Sequence, residues 1–387
     1  MKVAVTTLAF CVASLLALGL VMLYSASMTQ VGAHYLMMQL VWCAIGFVSC
    51  VIAVSLDYRV LKRGEVVCAI FLLAVLLLCL VYPFPHLPHL PERIIKKTNG
   101  AHRWFILPGG TRIQPSELGK LALILALAWY GDRFQRRMRT FVWGMVAPLG
   151  IIAVMLALIF IEPDRGTTIL LAMVSGSILL LAGVQWKFIL PPIVLAAGGL
   201  VVSILHDPMR MKRIFSWLDL EQTKEGAGYQ AYQAMIALGS GGWTGLGLGN
   251  GRQKLGFVPE HHTDFIFSII GEELGLVATL LVALAFVVIA ICGIYIALHA
   301  RDRFGTLLAA GITLLIALQA AINIGVVTSA LPNKGLPLPF ISYGGSNLLA
   351  MLTCVGILLS VARQTAPVPI AASDVVSDDN PFAPNEA

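Results

Sequence analysis

Residues 239–275 read GSGGWTGLGLGNGRQKLGFVPEHHTDFIFSIIGEELG. The first half is a glycine-rich polar loop carrying Arg252 and Lys254. The second half packs Glu260, His261, His262 and Asp264 into five positions and then enters an apolar run that continues to Cys292. A run of about 20 apolar residues is long enough to cross a hydrocarbon core as a helix. The stretch therefore presses a water-facing loop, crowded with ionisable groups, against a membrane boundary. Such a loop is a candidate active site, with Asp264 at its centre.

The rest of the chain has the same character. Of its 387 residues, 58% are hydrophobic and only 12% charged, with a mean hydropathy of +0.86. That balance excludes a soluble domain. The alternating strand pattern of a membrane barrel is absent, which leaves helices as the spanning element. Ten spans can be drawn, at roughly 5–25, 36–55, 65–82, 117–131, 141–161, 167–184, 187–205, 265–292, 305–330 and 344–362. The expected fold is all-α: a polytopic membrane protein of about ten transmembrane helices with two long extracytoplasmic loops, about 83–116 and 206–264.

Short connections carry Arg59, Lys62 and Arg63, then Arg133, Arg136, Arg137 and Arg139, then Lys187, then Arg301 and Arg303. They fall on the same side as Lys2 and Arg363, and the positive-inside rule places that side, with both termini, in the cytoplasm. The apolar N-terminal run is read as the first span rather than a cleaved signal, because it is long and no clean cleavage site follows. Residues 1–363 form one transmembrane domain; the acidic, proline-bearing segment 364–387 is expected to be a disordered cytoplasmic tail. All seven cysteines lie in apolar segments with no C-x-x-C, so they read as buried small hydrophobes.

The outer loops hold the unusual chemistry. Arg103 sits beside Trp104 and Phe105, as in a segment resting at the interface. Gln114-Pro115-Ser116-Glu117 resembles a helix start, and Glu117 and Lys120 lie one turn apart on one face. Glu162-Pro163-Asp164-Arg165 joins two spans and reads equally well as a self-paired hairpin. Glycines at 239–251 can bring backbone N–H groups against phosphate oxygens, or serve only as a hinge. The loop is neither a P-loop nor a dinucleotide-binding turn. Trp217 and the Tyr229/Tyr232 pair suggest short interfacial helices between these features. His261-His262 lacks a second spaced cluster, so no metal site is assigned. Asp264 stands where a span begins, and the helix N-terminus favours its ionised form. Glu272 and Glu273, two turns deeper, must face protein or water.

These residues resemble a known family, the SEDS proteins (shape, elongation, division and sporulation). The resemblance rests on NGAHRWF (99–105), QPSELGK (114–120), EPDRGTT (162–168), the 239–275 stretch and LPNKGLPLPFISYGGSN (331–347), in family order. GNGRQK and LPNKG are similar to the family's cell-division (FtsW) branch rather than its elongation (RodA) branch.

The resemblance implies a peptidoglycan glycosyltransferase polymerising lipid II in septal cell-wall synthesis. It implies a class B penicillin-binding protein and other divisome membrane proteins as partners, in the bacterial cytoplasmic membrane with the active site facing outward, and no nucleic acid. Asp264 is the implied general base. Arg103, Arg252, Lys254 and Lys334 are expected to meet substrate anions, with Glu117, Lys120, Glu162, Asp164, His262, Ser342 and Tyr343 as further substrate-site residues. A divalent cation, Mg or Mn, bridging acids and pyrophosphate is expected by analogy with other phosphate-bearing substrates, and no organic cofactor is expected. A lipid II flippase, an elongation-type polymerase and a scaffold that only activates the penicillin-binding protein are the alternatives; deep Glu272, Glu273, Gln319 and Asn323 favour transport.

Overall fold

The computed structural model describes residues 1–27, 32, 34–81, 95, 103–106, 111–226, 228–256 and 262–365. Glu260, His261, the proline-rich start of the first outer loop and the tail from 366 lie outside the described residues.

Ten helices correspond to the ten expected spans: α1 (Lys2–Ser27), α2 (His34–Ser55), α3 (Gly64–Val81), α4 (Pro115–Arg133), α5 (Ala147–Ile161), α6 (Arg165–Leu181), α7 (Trp186–Leu205), α10 (Ile266–Leu298), α11 (Arg303–Val327) and α12 (Gly345–Thr365). Two shorter helices, α8 (Pro208–Leu218) and α9 (Tyr229–Ser240), occupy the second outer loop, where short helices were expected. In the first outer loop β1 (Phe105–Ile106) pairs antiparallel with β2 (Arg112–Ile113). The last helix runs to Thr365, two residues beyond the expected domain edge.

Among the described residues, eight helices are long and apolar enough to cross a membrane. The exceptions, α4 and α6, sit inside the bundle. Residues 122–128 of α4 are buried without interruption, against α3, α5, α6 and α11. A helix surrounded by protein need not be apolar all round, so α4 can carry Glu117 and Lys120 in its first turns. By contrast α2, α3 and α10 expose rows of large apolar side chains, among them Phe47, Leu72, Leu281 and Ile291, suited to contact with lipid. Helices α2 and α12 pack closely because glycine lets the backbones meet: a Cβ at Gly356 would lie 2.6 Å from the Cys50 carbonyl oxygen.

One expectation is corrected. The run beginning at residue 265 is not a single regular helix. Gly275 breaks α10 with φ 77° and ψ −174°. The glycine-rich loop docks into that break. Leu246 and Gly247 N–H groups donate to the Glu272 and Glu273 carbonyls at 3.0 and 2.9 Å. Leu276 N–H donates to Gly242 O at 2.9 Å. The loop thus satisfies the backbone groups that the break would otherwise leave unpaired at membrane depth. Only glycine suits position 275, since a Cβ there would strike the Gly245 nitrogen and the Trp243 carbonyl.

Candidate active site

Three connections meet at one end of the bundle: residues 262–265 before α10, 328–344 between α11 and α12, and 162–164 between α5 and α6. Short polar bonds stitch the first two together. Ser342 Oγ donates to Thr263 O at 2.6 Å and accepts from Leu338 N–H at 2.8 Å. Tyr343 N–H donates to His262 O at 3.0 Å. Asn323, one turn from the end of α11, donates to both Asp264 O at 2.8 Å and Leu336 O at 2.7 Å.

These bonds pin the backbone of Asp264. Its half-buried carboxylate lies directly over Gly335, where a Cβ would come within 2.6 Å of Oδ2. Asp264 immediately precedes the Phe265 cap of α10, so the positive end of the helix favours the ionised carboxylate. The α6 start reaches the same loop: a Cβ on Gly166 would meet the Leu336 side chain at 3.0 Å. Arg165 and Lys334 therefore share a rim. Burial and the neighbouring Arg165 charge together hold the Lys334 ammonium below the usual lysine range. A carboxylate able to accept a proton thus stands close in the fold to two cations able to bind phosphate.

The other expected site residues divide into groups. His262 stacks on Tyr35 with ring centres 4.8 Å apart, and Tyr35 meets Tyr343 at 4.8 Å, giving an aromatic wall beside Asp264. Arg252 is exposed. Ser342 is buried and holds the loops together. Arg103 clasps the 162–164 turn, donating from Nε to Glu162 O at 2.9 Å and from Nη2 to Pro163 O at 2.7 Å. Asp164 caps α6 through Thr167 N–H at 3.1 Å and Thr167 Oγ1 at 2.9 Å, and accepts from Gln114 at 3.1 Å. Glu117 and Lys120 form a buried ion pair of 2.9 Å. Lys120 also donates to Gln319 Oε1 at 3.0 Å, and Gln319 in turn donates to Pro337 O at 2.9 Å, so the pair supports the floor of the 328–344 connection.

Lys254 requires a correction. It was expected on the substrate side, but it is 2% exposed and donates to Glu273 at 2.7 Å, Ser25 at 2.9 Å and Gly249 O at 2.8 Å. The N–H groups of Arg252, Gln253 and Gly249 point at the Glu272 and Glu273 carboxylates, not outward at an anion. The glycine loop is therefore a seal on α10 rather than a phosphate cradle. Deep Gln319 and Asn323, which favoured transport, are likewise bonded to the outer loop.

Two residues at these converging segments, Arg165 beside Lys334 and Tyr35 against His262, went unassigned in the sequence. Arg165 was visible in EPDRGTT but read as half of a self-paired turn. Tyr35 gave no signal, because an aromatic at the start of a span is ordinary.

Glu162 is fully buried, and neither carboxylate oxygen has a hydrogen-bond partner among the described residues. Burial first, then the Asp164 charge, push its carboxyl up to about 8, against the pull of Arg103. A carboxyl raised this way favours the fold below its ordinary titration near 4.5, and that contribution is lost as pH rises through about 8. Glu162→Gln, which stays neutral, should gain thermal stability relative to the parent chain between pH 6 and 9. A constant difference across that window would show that Glu162 is ionised throughout.

Among the described residues no group of three or more His, Cys, Asp or Glu is placed to hold a metal.

The chain is similar to several known proteins along most of its length. A "Probable peptidoglycan glycosyltransferase FtsW" of Trichlorobacter lovleyi is 38% identical over 369 residues, covering 94% of each chain. The FtsW of Coxiella burnetii that carries the same description is 39% identical, over 92% of this chain and 95% of its own. Stage V sporulation protein E of Bacillus subtilis is 38% identical over 90% of this chain and 94% of its own. Among solved structures, a chain from a peptidoglycan synthase complex that coordinates polymerization and crosslinking superposes with a TM-score of 0.77 at 26% identity, over 93% of this chain and 98% of its own. The rod shape determining protein RodA of Thermus thermophilus gives 0.66 at 25% identity, over 93% and 97%. The family model described as "Cell cycle protein" matches residues 6–366. Motif order, bundle and relatives agree across nearly the whole chain, which belongs to the FtsW/RodA/SpoVE family of multi-pass membrane proteins, the SEDS family.

Proposed function

We propose that this chain is a peptidoglycan glycosyltransferase that polymerises lipid II for the division septum. The observation that carries it is the Asp264 carboxylate, pinned through its backbone over Gly335, with Arg165 and Lys334 on the adjoining loops. The FtsW relatives, whose names print this activity, supply the reaction class.

The donor is a disaccharide on undecaprenyl pyrophosphate, already activated. Asp264 takes the proton from the acceptor sugar 4-hydroxyl. The hydroxyl oxygen attacks the donor anomeric carbon, and the carbon–oxygen bond to pyrophosphate breaks. The electron pair leaves on undecaprenyl pyrophosphate, where Lys334 and Arg165 offset the charge. A single inversion turns an α-linked donor into a β-linked polymer. The paired carboxylates of glycosidases are not needed, because pyrophosphate leaves without a general acid. Exposed Arg252 steers the anionic lipid toward the mouth. The aromatic wall of Tyr35, His262 and Tyr343 offers a sugar a stacking face. Asp264 is the site carboxylate that would hold a divalent cation, which when bound would supply charge neutralisation for the leaving pyrophosphate.

In this scheme the basic short connections lie in the cytoplasm, both termini with them, and Asp264 faces outward. The partner is a class B penicillin-binding protein, in keeping with the neighbour solved in a synthase complex. Labelled lipid II supplied to the purified chain with that partner should yield glycan polymer. Passage of label across vesicle membranes without polymer would instead identify a transporter.

A further inference from the structure

The turn between α4 and α5 has no part in the chemistry above. It borders an open hollow of about 460 Å³ lined by residues 132–137: Asp132, Arg133, Phe134, Gln135, Arg136 and Arg137. That volume falls within the roughly 300–1,000 Å³ usual for small-molecule sites. We propose that this hollow binds the phosphate of an anionic phospholipid headgroup, with the acyl chains lying along the start of α5.

Three observations carry this. First, the charge is uncompensated. Arg133, Arg136 and Arg137 are exposed, and none pairs with a carboxylate among the described residues. The one acid in the lining, Asp132, is taken by Lys62 at 2.9 Å, and Lys62 also bridges to Asp302 at 3.1 Å. The lining thus presents three guanidinium forks, whose geometry suits bidentate contact with phosphate oxygens.

Second, the turn is preorganised. Met138 is fully buried and plugs it into the bundle. Phe134 stacks on Trp143 with ring centres 5.1 Å apart and meets Tyr130 at a tilt with centres 4.8 Å apart, and Tyr130 Oη donates to Trp143 O at 2.7 Å. The Arg137 guanidinium lies over the Trp143 ring at 4.9 Å, which fixes its position without using up its N–H donors.

Third, the hollow opens beside an apolar shelf. Phe141 and Val142, 55% and 58% exposed, and Trp143 lead from it onto α5, a membrane-spanning helix. A free phosphate would use only the arginines. A lipid uses both features, with the aromatic at headgroup depth.

Native mass spectrometry of the full chain, titrated with phosphatidylglycerol and separately with phosphatidylcholine, tests this. The parent chain should retain phosphatidylglycerol preferentially. Arg133→Gln/Arg136→Gln, which spares the Trp143 contact, should weaken that retention about tenfold and leave phosphatidylcholine unchanged. Arg59→Gln/Arg63→Gln, basic residues at the same end of the bundle, should have little effect. Equal losses in the two double variants would mean diffuse surface attraction and overturn the site. Unchanged retention in Arg133→Gln/Arg136→Gln would likewise overturn the site. Displacement of the lipid by millimolar inorganic phosphate would assign the hollow to a soluble anion. None of these readouts involves polymer formation, so they are independent of the proposed reaction.

Discussion

Asp264→Asn is expected to slow lipid II polymerisation by about 10²–10⁴-fold, the contribution of a positioned general base. The variant should still bind the penicillin-binding partner and melt near the parent temperature. Asparagine is nearly isosteric with aspartate, so the contact with Gly335 is preserved. The backbone bonds that hold the position, from Asn323 to Asp264 O and from Ser342 to Thr263 O, do not involve the carboxylate. Polymer at the parent rate would remove Asp264 from the chemistry. Loss of both polymer and thermal stability would instead make it a structural residue. A chain that merely activates its partner would show neither loss.

The second large effect belongs to stability. Lys254→Met should destabilise the chain by about 3–5 kcal/mol, because it strands Glu273 as an uncompensated buried charge. Both side chains are nearly inaccessible, at 3% and 0% exposure, and their ion pair is 2.7 Å long. Lys254→Met/Glu273→Gln removes both charges and should recover much of the loss, since a buried pair and its neutral replacement often differ little. Thermal unfolding of the two variants measures this. The double variant also decides what Lys254 does. If the lysine only anchors the glycine loop to α10, polymerisation returns with stability. If it contacts pyrophosphate, stability returns and activity does not.

The same lysine shows where sequence reasoning stopped. A glycine-rich loop with Arg252 and Lys254 carries the chemical features of an anion site. Nothing local reveals that Glu272 and Glu273, about 20 residues later, turn back onto that loop. The signal was Gly275, passed over because one glycine inside an apolar run is common. In the structure it is the break that admits the loop. Arg165 was missed for the opposite reason. Its nearest charges in sequence are Glu162 and Asp164, which made a self-paired turn the simpler reading, whereas the fold brings it beside Lys334.

The sequence by itself determined the membrane-spanning helices, their order and the segments that meet at one end. Those follow from hydropathy and span length, which are properties of each segment alone. It also singled out Asp264, because a carboxylate at the mouth of an apolar span is costly without a use. Which charges face a ligand and which are consumed inside the protein was decided only by the tertiary structure. That division depends on contacts between residues far apart in the chain, such as Lys254 with Ser25 and Lys120 with Gln319. Hydropathy records that a charge is present in a span, whereas only packing supplies its partner.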